Sequence, residues 1–293
     1  MNQQPDTPDT QHISPSAEQA KRTGKFRTKP VSFVRRGNRL NPRRQKVWDE
    51  LKDQYVLHLD RDEASTSVSP DVELDLAQVY GNTNPLIVEI GTGQGENLAA
   101  AAARHRDKNF LAVEVYTPGI AGLLVQVKAE QLENVRAIEA NAPEVLAHTL
   151  PAGSVSELWI YFPDPWHKKK HHKRRMITAE FLDVVARALA PGGIVRLATD
   201  WSGYAEQMRA IFGADPRFQN VHAGERAGQD SPLTKVRAEG LEKEDPLPAA
   251  DALDTEGGWA PRFEGRVLTN FESKAHRAGR EIFDLTFRFA EQA

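Results

Sequence analysis

From residue 86 onward, short apolar runs alternate with stretches of helical character, and this alternation constrains the fold more than any other feature of the chain. The runs are LIVEI, FLAVEV, VRAIEA, LWIYF and IVRLAT, separated by helical stretches such as ENLAAAAARH, GIAGLLVQVKAEQL and TAEFLDVVARALA. Strands that are apolar on both faces and separated by helices are typical of a parallel sheet covered on both sides. PGG at 191–193 is expected to end a helix at Ala190 and to begin the next strand. The alternating run EIFDLTFRF predicts a late antiparallel strand.

The segments outside this pattern differ from it in composition. Residues 1–20 are rich in Gln, Pro, Ser, Thr and Asp and predict a disordered tail. Residues 21–60 form a basic N-terminal arm, because positions 21–46 hold eleven Lys and Arg and no acid. Residues 61–293 are expected to form the main domain, with an acidic insertion or mobile loop at about 223–260.

Composition limits the class of protein. The chain has 293 residues, of which 40% are hydrophobic, enough for one large core. It has no apolar run long enough to span a membrane and no signal-peptide pattern, so we expect a cytoplasmic protein with no membrane partner. The absence of cysteine excludes disulfides and thiolate chemistry. The net charge is −3, yet the bases cluster in the arm and at 168–175, which favours an anion-binding face.

The turn after the first apolar run carries three glycines spaced two apart, Gly91, Gly93 and Gly95. Such glycines let the backbone approach a ligand at the carboxyl edge of the sheet, although a merely tight turn is the simpler alternative. The dinucleotide fingerprint is G-x-G-x-x-G, whereas the spacing here is G-x-G-x-G with Glu89 just before it. A carboxylate would repel a pyrophosphate and suits a cationic ligand. S-adenosylmethionine, with its sulfonium and ammonium groups, therefore fits better than a dinucleotide.

Two polar side chains follow the next two apolar runs. Glu114 ends the second run, and a carboxylate there can accept both ribose hydroxyls of a nucleoside. Asn141 follows the third run, and its amide can pair with an adenine edge. Glu114 alone could be a surface acid. Because the carboxyl ends of parallel strands meet at one edge of a sheet, the ordered set of Glu89, Glu114 and Asn141 favours a cofactor site.

The fourth run leads into YFPDPWHKKKHHKRR, at 161–175. The two prolines stiffen the turn that holds Asp164, as an orienting carboxylate requires. Trp166 offers a flat face for stacking a base, or alternatively plugs the crevice and holds the turn. Taken alone, the basic run from Lys168 to Arg175 is more typical of a solvated helix face or a localisation-like signal than of a substrate lip. Directly after a rigid acid at a strand end, it instead predicts a lip that binds phosphates. The three His have no acid or Cys at ligand spacing, so we expect no metal.

At these residues the sequence resembles the bacterial tRNA (guanine-N7-)-methyltransferases. The matching pieces occur in family order between about 31 and 290, and they are SFVRRGNRL, VEIGTGQGENL, AVEVYTPGIAGLL, YFPDPWHKKKHHKRR, TDW and TNFE. The resemblance implies a class I S-adenosylmethionine-dependent methyltransferase fold, Rossmann-like, with a mostly parallel seven-stranded sheet. It also implies S-adenosylmethionine as donor and guanine N7 at position 46 of the tRNA variable loop as acceptor. For the assembly we expect a monomer or homodimer.

Carried over position by position, the resemblance implies Asp164 as the catalytic acid. The cofactor-binding residues it implies are Glu89, Gly91, Gly93, Gly95, Glu114, Asn141 and Ala142. The substrate-binding residues it implies are Lys168, Asp200, Thr269, Asn270, Phe271 and Glu272. Two of these positions have simpler alternatives: Asp200 could cap the following helix, and Thr269 with Glu272 fits a capping box. Many members carry Asp in place of Asn141, and a neutral amide can still accept from the adenine amino group, so we expect a modest change in cofactor affinity.

Three rival interpretations remain. A class I methyltransferase acting on another acceptor would have no need of the two basic stretches. A non-catalytic RNA-binding module with a vestigial cofactor fold would have no need of an intact Glu89 and Asp164. An NAD-dependent oxidoreductase conflicts with the glycine spacing.

Overall fold

The computed structural model describes residues 32, 37, 39–62, 64–239 and 253–290. In this part of the chain the central element is a seven-stranded sheet with strand order β3-β2-β1-β4-β5-β7-β6. The strands are β1 (Leu86–Ile90), β2 (Asn109–Glu114), β3 (Val135–Glu139), β4 (Val155–Tyr161), β5 (Leu189–Thr199), β6 (Phe218–Asn220) and β7 (Phe283–Phe289).

Helices alternate with the strands along the described chain. They are α1 (Pro42–Tyr55), α2 (Leu76–Tyr80), α3 (Glu96–Arg104), α4 (Thr117–Glu130), α5 (Ala142–Glu144), α6 (Ala179–Ala188), α7 (Ser202–Ala214), α8 (Pro232–Glu239) and α9 (Asn270–Arg277). A π-helical turn (Val145–Thr149) continues α5, and two 3₁₀ turns span Lys169–Arg174 and Gly228–Asp230. Each of these described helices is too short or too polar to cross a membrane.

Strands β1 to β5 pair in parallel, and β7 pairs antiparallel with both β5 and β6. The fold class that the resemblance implies is therefore confirmed, including the late antiparallel strand. The strand order reverses at β1, which lies between β2 and β4. Open α/β sheets bind ligands in the crevice at such a point, outside the carboxyl ends of the strands.

Both faces of the sheet are buried, as the apolar runs predict. Neighbouring residues of β1 point to opposite faces: Val88 packs in one buried layer with Phe181 of α6, and Ile87 packs in the other with Leu98 of α3 and Leu124 of α4. Each of these side chains is at most 4% exposed. The helices therefore cover the sheet on both sides and leave its carboxyl edge as the open face.

The predicted boundary at Ala190 is wrong by two residues. α6 ends at Ala188, and β5 begins at Leu189, which pairs with Val155 of β4. The next pair along these strands joins Glu157 to Ile194. Residues 190–193 therefore form a bulge inside the strand, where Gly192 has a φ of +73°. The PGG sequence interrupts a strand that has already begun instead of ending the helix.

The segments that flank the sheet are described in part. The tail expected at 1–20 and most of the arm up to residue 38 lie outside the described residues. Within the acidic segment, the described residues 253–260 pack on α7 through Asp254, which accepts hydrogen bonds from Arg209 at 3.0 Å and from Trp259 Nε1 at 2.8 Å. These contacts hold the pKa of the Asp254 carboxyl below its usual range, although burial opposes the shift.

Candidate active site

A cavity of about 220 Å³ opens at the carboxyl edge, where the strand order reverses. Several of the predicted site residues line it together: Gly91, Gly93, Glu114, Asn141, Ala142, Asp164 and Phe271. Other lining residues were not predicted, among them Ser32, Tyr116, Tyr161, Phe162 and Met176. Glu89, Gly95, Lys168, Asp200, Thr269, Asn270 and Glu272 lie outside the lining.

The glycine turn divides into two open glycines and one packed glycine. Gly91 and Gly93 have φ of +71° and +57°, and a Cβ on either would meet no atom within 4 Å. The backbone is therefore bare where it faces the cavity. Gly95, with a φ of +74°, is the N-cap of α3, and a Cβ there would lie 2.5 Å from Leu123 of α4. Gly95 thus permits close packing of two helices.

Sequence reasoning missed a glycine in α4 that holds this turn. A Cβ on Gly119 would lie 2.4 Å from the backbone oxygen of Gly93. Arg44 of α1 binds the same region, donating to Gln94 Oε1 at 2.6 Å and to the Pro118 carbonyl at 3.2 Å. A glycine inside a helical stretch was the available signal for Gly119. Nothing in the sequence distinguishes Arg44 from the other arginines of the arm.

Backbone N–H groups fix the Glu114 carboxylate at the end of β2. Oε2 accepts from Gly93 N at 2.9 Å, and Oε1 accepts from Val115 N at 2.7 Å and from Tyr116 N at 3.1 Å. The carboxylate therefore joins the glycine turn to the start of α4 while lining the cavity. Hydrogen bonds to a charged acceptor are among the stronger ones in proteins, so this orientation is well determined.

Glu89 lies beneath the glycine turn and is only 4% exposed. Its Oε1 accepts from Asn97 Nδ2 at 3.3 Å, and its Oε2 has no hydrogen-bond partner within the described chain. Burial raises the pKa of Glu89 to about 8, the nearby charge of Glu114 adds to the rise, and the Asn97 bond opposes it. A buried acid with one unsatisfied oxygen is suited to receive a cationic group.

Asn141 and Ala142 line the cavity at the start of α5. Asn141 Nδ2 donates to Glu144 Oε1 at 2.8 Å, while Glu144 Oε2 accepts from Val68 N at 2.9 Å. This bond orients the amide so that Nδ2 faces Glu144. The amide oxygen is then the hydrogen-bond acceptor that Asn141 can offer at the cavity wall.

Asp164 is half-buried in the cavity wall and lies on the turn after β4. The residues on either side of the PDP sequence, Phe162 and Trp166, have φ of +53° and +48°. Non-glycine residues rarely adopt such values, so the surrounding structure must hold the turn in place. The stiffness predicted from the prolines is thus accompanied by a backbone that is strained on both sides of Asp164.

Trp166 holds this turn, as one of the two predicted alternatives requires. Its Nε1 donates to the Ser32 carbonyl at 3.1 Å, and the Arg174 guanidinium lies 3.7 Å from the ring centroid. Ser32 itself lines the cavity. One face of the indole is therefore already covered by a cation, and its N–H is satisfied by the arm.

The basic stretch divides into outward and inward side chains. Lys168, Lys169, Lys170 and Lys173 are exposed on or beside the 3₁₀ turn. Arg175 is only 4% exposed, and it donates through Nε to the Pro165 carbonyl at 2.7 Å and through Nη1 to Gln207 at 2.8 Å. Including Arg175 in the phosphate-binding lip was therefore wrong, because its guanidinium joins the Asp164 turn to α7.

Asp200 is 7% exposed and forms an ion pair with Arg280 at 3.2 Å. The residue at the N-cap of α7 is Trp201 and not Asp200, so the structure does not support the helix-capping alternative for Asp200. Thr269 does cap α9, accepting from Glu272 N at 3.2 Å. That half of the capping-box alternative is confirmed.

The residues at the start of α9 face in different directions. Phe271 is 49% exposed, lines the cavity and lies 5.2 Å from the Phe162 ring. Glu272 is fully buried and accepts from Arg262 at 2.8 Å and from Arg266 at 3.1 Å. Asn270 bonds Glu96 at the start of α3. Of the four residues at the start of α9 that the resemblance implies for substrate binding, Phe271 is the one that lines the cavity.

Within the described residues, no group of three His, Asp or Glu side chains is placed to hold a metal ion. The cluster of His in the basic stretch has other contacts. His167 packs on Trp201 with ring centroids 4.1 Å apart, and His171 lies edge-on to Trp166. Desolvation and the neighbouring Lys and Arg lower the pKa of His171.

Comparison with known proteins identifies similar chains. The family model described as "Putative methyltransferase" matches residues 83–285. The tRNA (guanine-N(7)-)-methyltransferase of Paenarthrobacter aurescens (strain TC1) is 48% identical, over 98% of this chain and 99% of that protein. The protein of the same name from Arthrobacter sp. (strain FB24) is 51% identical, over 90% of this chain and 88% of that protein. Among solved structures, the 16S rRNA methyltransferase KamB aligns at 16% identity with a TM-score of 0.45, over 74% of this chain and 94% of that one, which is too distant to support an argument.

Proposed function

Since the chain belongs to the family of tRNA (guanine-N(7)-)-methyltransferases, we propose that it transfers a methyl group from S-adenosylmethionine to N7 of guanine 46 in tRNA. The observation that carries the proposal is the cavity at the strand-order reversal. Two bare glycines and Glu114 form one wall, and Asp164 lies on the turn after β4. A donor and a base can thus be bound side by side at one sheet edge.

The residues present fit S-adenosylmethionine. Gly91 and Gly93 leave open space beside the backbone, and Glu89 offers an unpartnered buried oxygen to a cationic group. Glu114 is held by three backbone N–H groups and would accept from ribose hydroxyls. Asn141 would accept from the adenine amino group through its amide oxygen. When bound, S-adenosylmethionine supplies an electrophilic methyl carbon attached to a sulfonium.

Guanine N7 presents an in-plane lone pair and carries no proton. Its methylation therefore requires no general base, and the task of the protein is to place N7 in line with the methyl carbon and the sulfur. The strained turn between Phe162 and Trp166 suits this task, because Arg175 and Trp166 fix it from both sides. Positioning of the base is thus assigned to the turn after β4.

Asp164 would select guanine and favour the reaction. A carboxylate can accept from both the N1 and the N2 hydrogens of guanine, whereas adenine lacks that pair of donors. Methyl transfer moves positive charge onto the purine, so a carboxylate beside the ring is more strongly bound in the transition state than in the ground state. Half-burial of Asp164 limits the screening of that interaction by water.

The exposed lysines of the basic stretch would contact tRNA phosphates. Lys168, Lys169, Lys170 and Lys173 follow the Asp164 turn directly and lie on the solvent side of it. Phosphate contacts supply affinity and orientation without reading bases, so the choice of guanine falls to the cavity.

The experiment that tests the function maps the methylated position. The protein is incubated with methyl-labelled donor and unmodified tRNA, and borohydride reduction with aniline cleavage then locates N7-methylguanine. Cleavage at position 46 is expected, and a tRNA with adenine at that position should take no label. Label at another guanine would refute the position, and absence of label in wild-type protein that binds the donor would refute the acceptor.

A further inference from the structure

Asn97, the second residue of α3, joins the buried acid beneath the glycine turn to a distant part of the chain. Its Nδ2 donates to Glu89 Oε1 at 3.3 Å, and its Oδ1 accepts from Val267 N at 3.2 Å. Asn97 is 3% exposed, so both bonds are shielded from water. A neutral amide that donates on one side and accepts on the other makes both contacts without adding charge.

Val267 belongs to the segment of residues 262–268, here called the strap, which leads to α9. The strap is tied to α3 at a second point, where Arg104 donates to the Gly265 carbonyl. Its own Arg266 is fully buried and forms ion pairs with Asp284 of β7 and Glu272 of α9. Asn97 thus links the strap to Glu89, whereas Arg104 links the strap to α3 without touching Glu89.

The balance of interactions that decides whether Glu89 is ionised depends on the Asn97 amide. Glu114 repels the ionised form, and burial opposes it more strongly. Tyr161 faces Glu89 from β4, and Arg266 lies 5.1 Å from the Tyr161 ring. Apart from the nearby backbone N–H of Leu98, the Asn97 bond is the contact that favours the ionised carboxylate. Within the described residues, removing it leaves burial and Glu114 opposed by no side-chain donor.

We propose that Asn97 is a positioning residue for donor binding: its amide stabilises and orients the ionised Glu89 carboxylate and fixes the strap to the cofactor side of the cavity. The proposal rests on the proposed function, in which Glu89 receives a cationic group of S-adenosylmethionine. It extends the site to a residue that lies outside the cavity lining. Because the amide acts through Glu89, its loss should change how donor affinity depends on pH.

The test is calorimetric titration of S-adenosylmethionine into wild type, Asn97→Ala, Asn97→Asp and Arg104→Ala at pH values on both sides of the Glu89 pKa of about 8. Wild-type affinity should rise with pH as Glu89 ionises. Asn97→Ala should bind about tenfold or more weakly at pH 7, since a hydrogen bond to a charged group is lost, and its rise should shift to higher pH. Asn97→Asp keeps an acceptor for Val267 but adds a like charge beside Glu89, and should shift the rise the same way.

Arg104→Ala is the matched control, because it loosens the strap without touching Glu89. It should keep the wild-type affinity and pH dependence. If both Asn97 variants match wild type, Asn97 only packs, and the inference is wrong. If Arg104→Ala reproduces the Asn97 shift, the strap and not the amide is responsible, and the inference is also wrong. Failure of the wild type to bind the donor would instead overturn the proposed function, and this inference with it. Should Asn97→Ala not fold, Asn97→Asp carries the test.

Discussion

Replacing Glu89 by Gln should stabilise the donor-free protein, and by more at higher pH. Burial raises the pKa of the Glu89 carboxyl from 4.5 to about 8, and Glu114 adds to the rise. Gln keeps the shape and an oxygen that can accept from Asn97, but it cannot ionise. The variant thus removes the free-energy cost of burying an ionised carboxylate and leaves the packing nearly unchanged.

The sign and size of this stabilisation follow from the linkage between proton binding and folding. The folded pKa lies above the unfolded one, so the stabilising contribution of Glu89 is fully present below about pH 4.5 and is lost as the pH rises toward 8. Relative to Glu89→Gln, the free energy of unfolding of wild type is lower by about 2 kcal/mol at pH 6 and by about 5 kcal/mol at pH 9. For a chain of 293 residues, the difference of about 3 kcal/mol corresponds to about 5 °C in Tm.

The assay is thermal unfolding of donor-free wild type and Glu89→Gln at pH 6, 7, 8 and 9. The gap in Tm between the two should widen by about 5 °C across this range. Glu130→Gln is the matched control, because Glu130 is an exposed carboxylate on α4 and its gap to wild type should stay constant. A constant gap for Glu89→Gln would refute the reasoning, since it would mean that Glu89 ionises as readily in the folded protein as in the unfolded chain.

The remaining predictions concern the turn, the lysines and the glycines. Asp164→Asn should lose methylation by at least a hundredfold while keeping donor affinity, as measured by turnover and calorimetry. Lys168→Ala should make the slope of log binding constant for tRNA against log salt concentration shallower by about 0.9, with Tm unchanged. Arg175→Ala should instead lower the free energy of unfolding by about 3 kcal/mol. Gly119→Ala should weaken donor binding, because its Cβ would lie 2.4 Å from the backbone of the glycine turn. Gly213→Ala, which lies in open space on α7, should bind the donor normally and raise the free energy of unfolding by about 0.4–1 kcal/mol.

Several outcomes would contradict these expectations. Near-normal turnover in Asp164→Asn would remove its role with guanine. A salt slope that is flat in the wild type would mean that tRNA is held without phosphate contacts. Donor binding by Gly119→Ala at wild-type affinity would show that the turn and α4 can separate at little cost.

Much of the fold could be predicted because its signal is local. A strand buried on both faces must be apolar throughout, so each run from LIVEI onward identifies a strand without knowledge of its neighbours. β6 escaped prediction because Phe218–Asn220 has only three residues, too few to show a period. The bulge at 190–193 escaped because Gly and Pro mark a break in structure without saying which element is broken.

Whether a basic side chain points to solvent or into the protein could not be predicted from its place in a basic stretch. Arg175 and the exposed Lys168 stand in one basic stretch, yet the first is 4% exposed and bonds the Pro165 carbonyl. Arg44 of the basic arm, which is half-buried, likewise bonds another side chain of the protein, that of Gln94. The summed charge of a stretch describes how strongly it attracts an anion. Whether one of its side chains is buried depends on contacts from elements far along the chain. Such contacts leave no local signal.

The same reasoning separates the residues implied at the start of α9. Phe271 reaches the cavity, whereas Glu272 is buried between two arginines, which hold the pKa of its carboxyl below its usual range against the opposing effect of burial. Leaving one partner of a buried ion pair alone is costly, so Glu272 contributes by fixing the helix that carries Phe271 and the strap that precedes it. A sequence motif thus combines a residue that lines the cavity with one that holds its helix in place. Only the three-dimensional contacts assign the two roles.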